Sequence, residues 1–485
     1  MSLKFLNQST EYRRNMILNG NTLKTLLFLS VPTLMLSLVQ CLMPLSDSFF
    51  INNVAGTYVA GAVAYCQPVI NLMVALSQGL GVATMAMIGQ MNGRGDFKGA
   101  RHLSTQIFVF GFLIGVCLAP ILAILSVPMG NSVDETLTAN VTKYIAMYAV
   151  VLPFQFLIAL FNAIKNATGK PESTFTPMAL MLVFKIIFSL IFIVWLRLEV
   201  FGCVLASFFA TFLVACWMFY VLFVRKADDQ LTLKGFRFDF GVLKELIQLG
   251  VPSMLNSIML SLGFLLINFE VRKYGAVALT GQSIANSISQ ICFNLPSAFG
   301  SAVTTMVSMN IGAGFSQKAK KSCNTATVLS IVTAVIMIAI MVPLAPFITV
   351  FFTKDPQVME MANKALSIYV YAVIGFGICM VQQGAFIGLG RTKIPLVAGL
   401  LRIWLFRYLF ILCTESFLGV YSVFWGNLFS NSMAAVVTTV LILRTKWVSA
   451  IPQTGSYQKK NEEKGAQEGS EPEPEAVAVS KQDSK

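Results

Sequence analysis

LKTLLFLSVPTLMLSLVQCLMPLSDSFFIN, residues Leu23–Asn52, is the stretch whose reading decides the fold. After Lys24 no charge appears until Asp47. At ~1.5 Å per residue this run crosses the ~30 Å hydrocarbon layer of a bilayer as one helix. Pro32, Pro44 and Asp47 all stand inside it. A carboxylate is costly in lipid, so Asp47 is expected to face the protein interior or a water-filled cavity. Pro44, about one turn earlier, frees a backbone carbonyl beside it. A bent helix that carries a carboxylate toward a cavity is a typical transporter part.

The rest of the chain keeps this character. Of 485 residues, 56% are hydrophobic and 12% charged, about half the charge of a soluble domain. The composition implies a polytopic membrane protein. The net charge of +13 does not point to nucleic acid, because the basic residues punctuate apolar runs instead of forming one module. Nine cysteines are scattered without a CxxC pair, and His102 is the single histidine. Zinc sites and Ser-His-Asp triads therefore have almost nothing to use. No catalytic residue, metal ligand or cofactor is assigned. The first 23 residues are polar and mixed, unlike a cleavable signal peptide.

Apolar runs of about 20 residues or more predict twelve spans, too long for barrel strands and therefore helical. Lys and Arg concentrate in the segments on the amino-terminal side. The opposite links hold only Lys143, Arg197, Arg272, Lys273, Lys354 and Lys364. This bias places both termini in the cytoplasm. Expected boundaries are an N-terminal segment 1–23, a lobe 24–225, a polar linker 226–242, a second lobe 243–447 and a disordered tail 448–485.

The chain also repeats itself. LKTLLFLSVPTLMLS from Leu23 matches LKELIQLGVPSMLNS from Leu243. Further on, Gly56 pairs with Gly275, Gly81 with Gly300, Gly93 with Gly312, Gly95 with Gly314 and Ala100 with Ala319. Six spans per half make both halves enter the membrane in the same sense. The expected fold class is all-α integral membrane, with two six-helix lobes related by a pseudo-two-fold axis along the membrane normal. Pro44, Pro153 and Pro296 are candidate bending points.

With this organisation the chain resembles the multidrug and toxic compound extrusion (MATE) family. The resemblance rests on the VP near the start of each lobe and on Asp47. It also rests on the paired span ends ATMAMIGQMNGRGDFKGAR and AVTTMVSMNIGAGFSQKAKK, and on GKPESTFTP, GLGRTKIP and LLRIWLFRYLF. It implies a twelve-helix exporter that exchanges H⁺ or Na⁺ for small amphipathic compounds. A bacterial inner-membrane location and a monomer working in the lipid bilayer, with no nucleic-acid partner, go with it.

On this resemblance Asp47 matches a cation or proton site, and Ser207 in GCVLAS matches a hydroxyl position that is usually Thr. The alternatives are a structural carboxylate and a small residue easing helix packing. The fifth span, MLVFKIIFSLIFIV, lacks the Asn and Asp of sodium-binding members and carries Lys185 instead. Lys185 is expected to pair with Asp47, either exchanging with a proton or as a permanent ion pair, which favours H⁺ over Na⁺. In the second lobe Cys379 falls where some members have an aspartate. What remains is Gln282, Asn286 and Gln290, four residues apart on one stripe, with Gln382 and Gln383. Together with Arg402 and Arg407 they are the candidate substrate cavity; interhelix glue is the alternative for the amides. The arginines either bind anionic groups or lock helix carbonyls. A flippase for a lipid-linked precursor, of the same broad architecture, is the competing function.

Overall fold

The computed structural model describes residues 8–50, 57–131, 135–234, 236–353 and 355–451, with a few side chains inside these ranges, including Pro44 and Asp47, outside the description. The expected tail beyond Ile451 also lies outside the described residues. Every regular element described is helical. A short α1, Thr10–Asn19, precedes α2, Thr22–Phe50. The first half continues with α3, Thr57–Arg94; α4, Phe97–Gly130; α5, Glu135–Tyr148; α6, Leu152–Ala167; α7, Glu172–Ser189; and α8, Glu199–Phe219. The second half is α9, Phe240–Arg272; α10, Gly275–Gly312; α11, Ser316–Phe352; α12, Pro356–Gly388; α13, Lys393–Leu400; α14, Leu409–Leu418; and α15, Tyr421–Arg444. π-helical segments extend α7 (Leu190–Trp195) and α8 (Tyr220–Val224) and join α13 to α14 (Leu401–Tyr408).

Ten of these rods are long and apolar enough to cross a membrane, and the bent pair α5–α6 makes an eleventh. That bend, 48°, falls where Pro153 enters the first turn of α6. Proline fits a first turn because its missing N–H is not needed there. By contrast α10 runs through Pro296 as one helix of 38 residues. By its length it too can span. Bulky side chains such as Trp195, Phe347 and Phe417 are exposed on the outside of the rods, as lipid contact requires. Two links are tight: Arg197 and Glu199 both take positive φ around Leu198, and Gly419 does the same before α15.

The two lobes repeat each other's packing. In the first, α3 and α4 pack on α6, and α6 on α8; in the second, α10 and α11 pack on α12, and α12 on α15. Between lobes, α2 packs on α10 as α9 packs on α3. The paired glycines explain themselves here. Gly95 and Gly314 have φ of +86° and +83°, the left-handed turn that ends α3 and α10. Gly93 and Gly312 lie where α3 crosses α10: a Cβ on Gly93 would sit 2.1 Å from the Met309 carbonyl oxygen, and one on Gly312 would sit 2.1 Å from that of Gln90.

The crossing lies on the side that carries both described chain ends. There α1 acts as a cross-brace. Ser9 caps it by accepting from Tyr12 N–H at 3.1 Å. Arg13, fully buried, donates to Glu172 Oε1 at 2.5 Å, and Arg14 Nε donates to the Gly93 carbonyl at 2.9 Å. From the other lobe, Lys318 Nζ donates to the carbonyls of Leu18 and Gly20, the latter at 3.0 Å. The chain after α15 braces in the opposite sense. Ser449 donates to Gln90 Oε1 at 2.6 Å, and Ile451 is buried in the first lobe's core.

The linker is exposed over most of its described length, but Asp229 and Leu231 are buried. Asp229 accepts from Lys165 Nζ at 2.5 Å, and Asp228 accepts from Lys170 Nζ at 2.9 Å and from Thr10 N–H. Burial alone would raise the Asp228 carboxyl, but the Thr10 and Lys170 hydrogen bonds outweigh it and bring it down to about 2 from 3.8. A depressed folded value means that Asp228 stabilises the fold above its unfolded value and stops doing so as pH falls through its folded one. The melting-temperature gap between the parent and Asp228→Asn is therefore expected at pH 5 and should vanish as pH falls from about 4 to about 2.

Candidate functional site

In the first lobe the helices carrying the expected coupling residues are neighbours. α2, with Asp47, packs on α7, with Lys185, and α7 packs on α8, with Ser207. Lys185 and Ser207 are both half-buried. The Asp47 backbone is helical within α2, and its side chain lies outside the described residues. The π-helical extension of α7 also touches α2. Such segments widen a helix locally and recur at functional sites.

The second lobe holds a buried polar cluster. Arg402 and Arg407 are 5% and 4% exposed and sit on the π-helical segment between α13 and α14. Hydrogen bonds there close between residues five apart, which brings residues 402 and 407 toward one face. Arg402 lies over the Phe376 ring at 5.2 Å. Its facing titratable groups are the Cys379 thiol and the Arg407 guanidinium. Tyr369, fully buried and edge-on to Phe424 at 5.8 Å, faces Arg407 and Gln282. Gln383 Nε2 donates to Cys379 Sγ at 3.2 Å. Asn256 Oδ1 is buried without a partner among the described residues, against Gly399, one turn before Arg402.

The stripe on α10 is not uniform. Gln282 is buried in this cluster, Asn286 is half-buried, and Gln290 is exposed. Gln382 turns the other way and exchanges hydrogen bonds of 2.9 and 3.2 Å with Thr439 of α15, so it joins two helices. Tyr369 and Phe376 were not singled out from sequence. Their signal was available: Tyr369, Phe376 and Gln383 are seven apart, so they form one stripe along α12. A further cavity of about 660 Å³ lies on the side of the chain ends, lined by Lys165, Lys170, Glu172, Trp217 and Asp228. Its lysines are held by the linker carboxylates.

The MatE family model matches residues 32–191 and 252–413, one block in each lobe. The chain belongs to the MatE family. This MatE protein is a multi-pass membrane transporter. Among curated relatives it is 23% identical to the probable multidrug resistance protein YoeA of Bacillus subtilis (strain 168), covering 77% of this chain and 83% of the relative. It is 22% identical to the multidrug export protein MepA of Staphylococcus aureus (strain NCTC 8325 / PS 47), covering 86% and 93%. Among solved structures it superposes on a MATE transporter in complex with MaL6 with TM-score 0.84 at 21% identity, covering 88% of this chain and 97% of that one. A MOP superfamily transporter from Pyrococcus furiosus, described as having a binding pocket of reverse polarity, gives TM-score 0.82 at 21% identity over 88% and 96%. The fold of this MatE protein is thus that of solved MATE transporters, two helical lobes included.

Proposed function

We propose that this MatE transporter is a cation-coupled antiporter, driven by H⁺ in preference to Na⁺, that exports small amphipathic organic compounds by alternating access. The observation that carries the reading is Lys185, a cation on the helix that packs against the Asp47 helix. An ammonium there competes with a bound sodium ion, whereas a proton on Asp47 and an ion pair to Lys185 are mutually exclusive states of one carboxylate. The names of the bacterial relatives support export of drugs as the direction and substrate type. Two lobes braced around the α3–α10 crossing are suited to rocking about a central cavity. In this reading Gln282, Asn286, Gln290, Gln383, Arg402 and Arg407 border the substrate path, both termini are cytoplasmic, and the location is a bacterial inner membrane. Flippase activity on a lipid-linked precursor is the second reading, favoured by the buried guanidinium pair.

Dye efflux from proteoliposomes under ΔpH or ΔNa⁺, imposed separately, tests it. The parent should respond to ΔpH. Asp47→Ala should lose gradient dependence by about 5- to 150-fold, the span of an ordinary coupling free energy. Lys185→Asn should shift the ion preference toward Na⁺. Pumping and gradient dependence untouched by Asp47→Ala would overturn the mechanism, and unchanged ion preference in Lys185→Asn would remove the role of the ammonium.

A further inference from the structure

Among the described residues, nothing balances the charge of Arg402. Arginine stays protonated inside proteins and carries five donors in a planar fork. Arg402 is 5% exposed, its Nη1 is buried without a hydrogen-bond partner, and among the described residues it makes no hydrogen bond or ion pair. The ion pairs described lie elsewhere: Arg13–Glu172, Lys165–Asp229 and Lys170–Asp228 near the chain ends, Lys273–Glu270 and Lys364–Glu360 at the opposite helix ends. The residue facing Arg402 on α12 is Cys379, a neutral thiol where a carboxylate would have neutralised it. Phe376 covers one face of the guanidinium, which leaves the donor edge as its binding side. A second guanidinium, Arg407, adds positive potential on the same segment. An uncompensated buried ion is costly, and a well-placed counter-ion offsets that cost.

We infer that the second lobe is an anion site, in which the Arg402 fork takes a monovalent anion, either chloride or the carboxylate of an amphiphilic substrate. The planar fork matches a carboxylate in a bidentate way, and the Phe376 ring covers the guanidinium beside that contact. Tyr369 and Gln282 supply polar neighbours around Arg407 on the same side. The inference rests on the reading of this lobe as part of the substrate path, and it narrows the expected cargo from amphipathic compounds in general to acidic or zwitterionic amphiphiles. The lobes then divide the work: an acid on α2 handles the coupling cation, and a base on the α13–α14 rod holds the anionic group.

The test uses the full-length protein in detergent and follows its melting midpoint at constant ionic strength. The sodium salt of the bulky morpholinoethanesulfonate is replaced stepwise by sodium chloride or by sodium benzoate. A saturable rise of about 2–4 °C is expected in the parent. A rise in chloride alone assigns an inorganic ion; a rise in benzoate assigns a substrate carboxylate. Arg402→Gln should lose the rise. Cys379→Asp should lose it too, because it places a counter-ion inside the protein, and this variant decides the question if Arg402→Gln does not fold. Equal midpoints in all three salts for the parent, or an undiminished rise in Cys379→Asp, would overturn the inference. Gradient-driven efflux by the parent and Asp47→Ala reads the coupling reading separately, so either can fail without the other.

Discussion

Leucine at Gly312 is expected to abolish transport and to lower the melting midpoint by several degrees. A Cβ there meets the Gln90 carbonyl oxygen at 2.1 Å and the Gln90 carbonyl carbon and Cα at 2.8 Å. These are backbone atoms, so no rotamer change relieves the clash, and the two lobes must separate at their crossing. Overpacking of this kind costs about 1–3 kcal/mol or more. The mirror substitution, Gly93→Leu, meets Met309 backbone in the same way and should behave alike. Gly314→Ala is the contrast. It has open space around its Cβ but a φ of +83°, so it should cost about 1–3 kcal/mol of backbone strain while leaving the crossing intact. Melting curves and efflux on the three variants check this. Full transport by Gly312→Leu would show that the crossing is not needed closed.

Lys165→Met is expected to destabilise the protein by about 3–5 kcal/mol, because it strands a buried carboxylate. Lys165 and Asp229 side chains are 5% and 10% exposed and meet at 2.5 Å; without Lys165, the cation left to Asp229 among the described residues is Lys170 at 3.7 Å. Removing both charges should hurt less than removing one. Lys165→Met with Asp229→Leu is therefore expected to recover most of the lost melting temperature. A double variant no more stable than the single would mean that the pair is not isolated as a unit. The cluster joins the linker to α6 and the loop before α7, so its loss should loosen the seat of α1 as well.

Much of this fold was legible in the chain, because each span must satisfy its own backbone and announces itself as a long apolar run. The duplication was legible for a related reason. Gly95 and Gly314 both need a left-handed turn, and Gly93 and Gly312 both need room for a backbone, so the same residue recurs at matched positions in each lobe. Asp47 and Lys185 stood out because ionised groups are rare in such runs. The second lobe's cluster was only half visible. Arg402, Arg407 and Gln282 could be named, but ordinary helical periodicity does not put residues 402 and 407 on one face; the π-helical segment does. Nor does spacing along α12 say that Gln382 turns to Thr439 while Cys379 faces Arg402.

The sequence by itself determined that this is a duplicated helical membrane protein with one acid in its first span and an excess of buried positive charge in its second half. Only the tertiary structure decided which charges are balanced. Ion pairing depends on a few ångströms between helices far apart in the chain, and no periodicity within one helix carries that distance. Asp228 and Asp229 found lysines some 60 residues away, whereas Arg402 came to rest over an aromatic ring, with a neutral thiol in its surroundings.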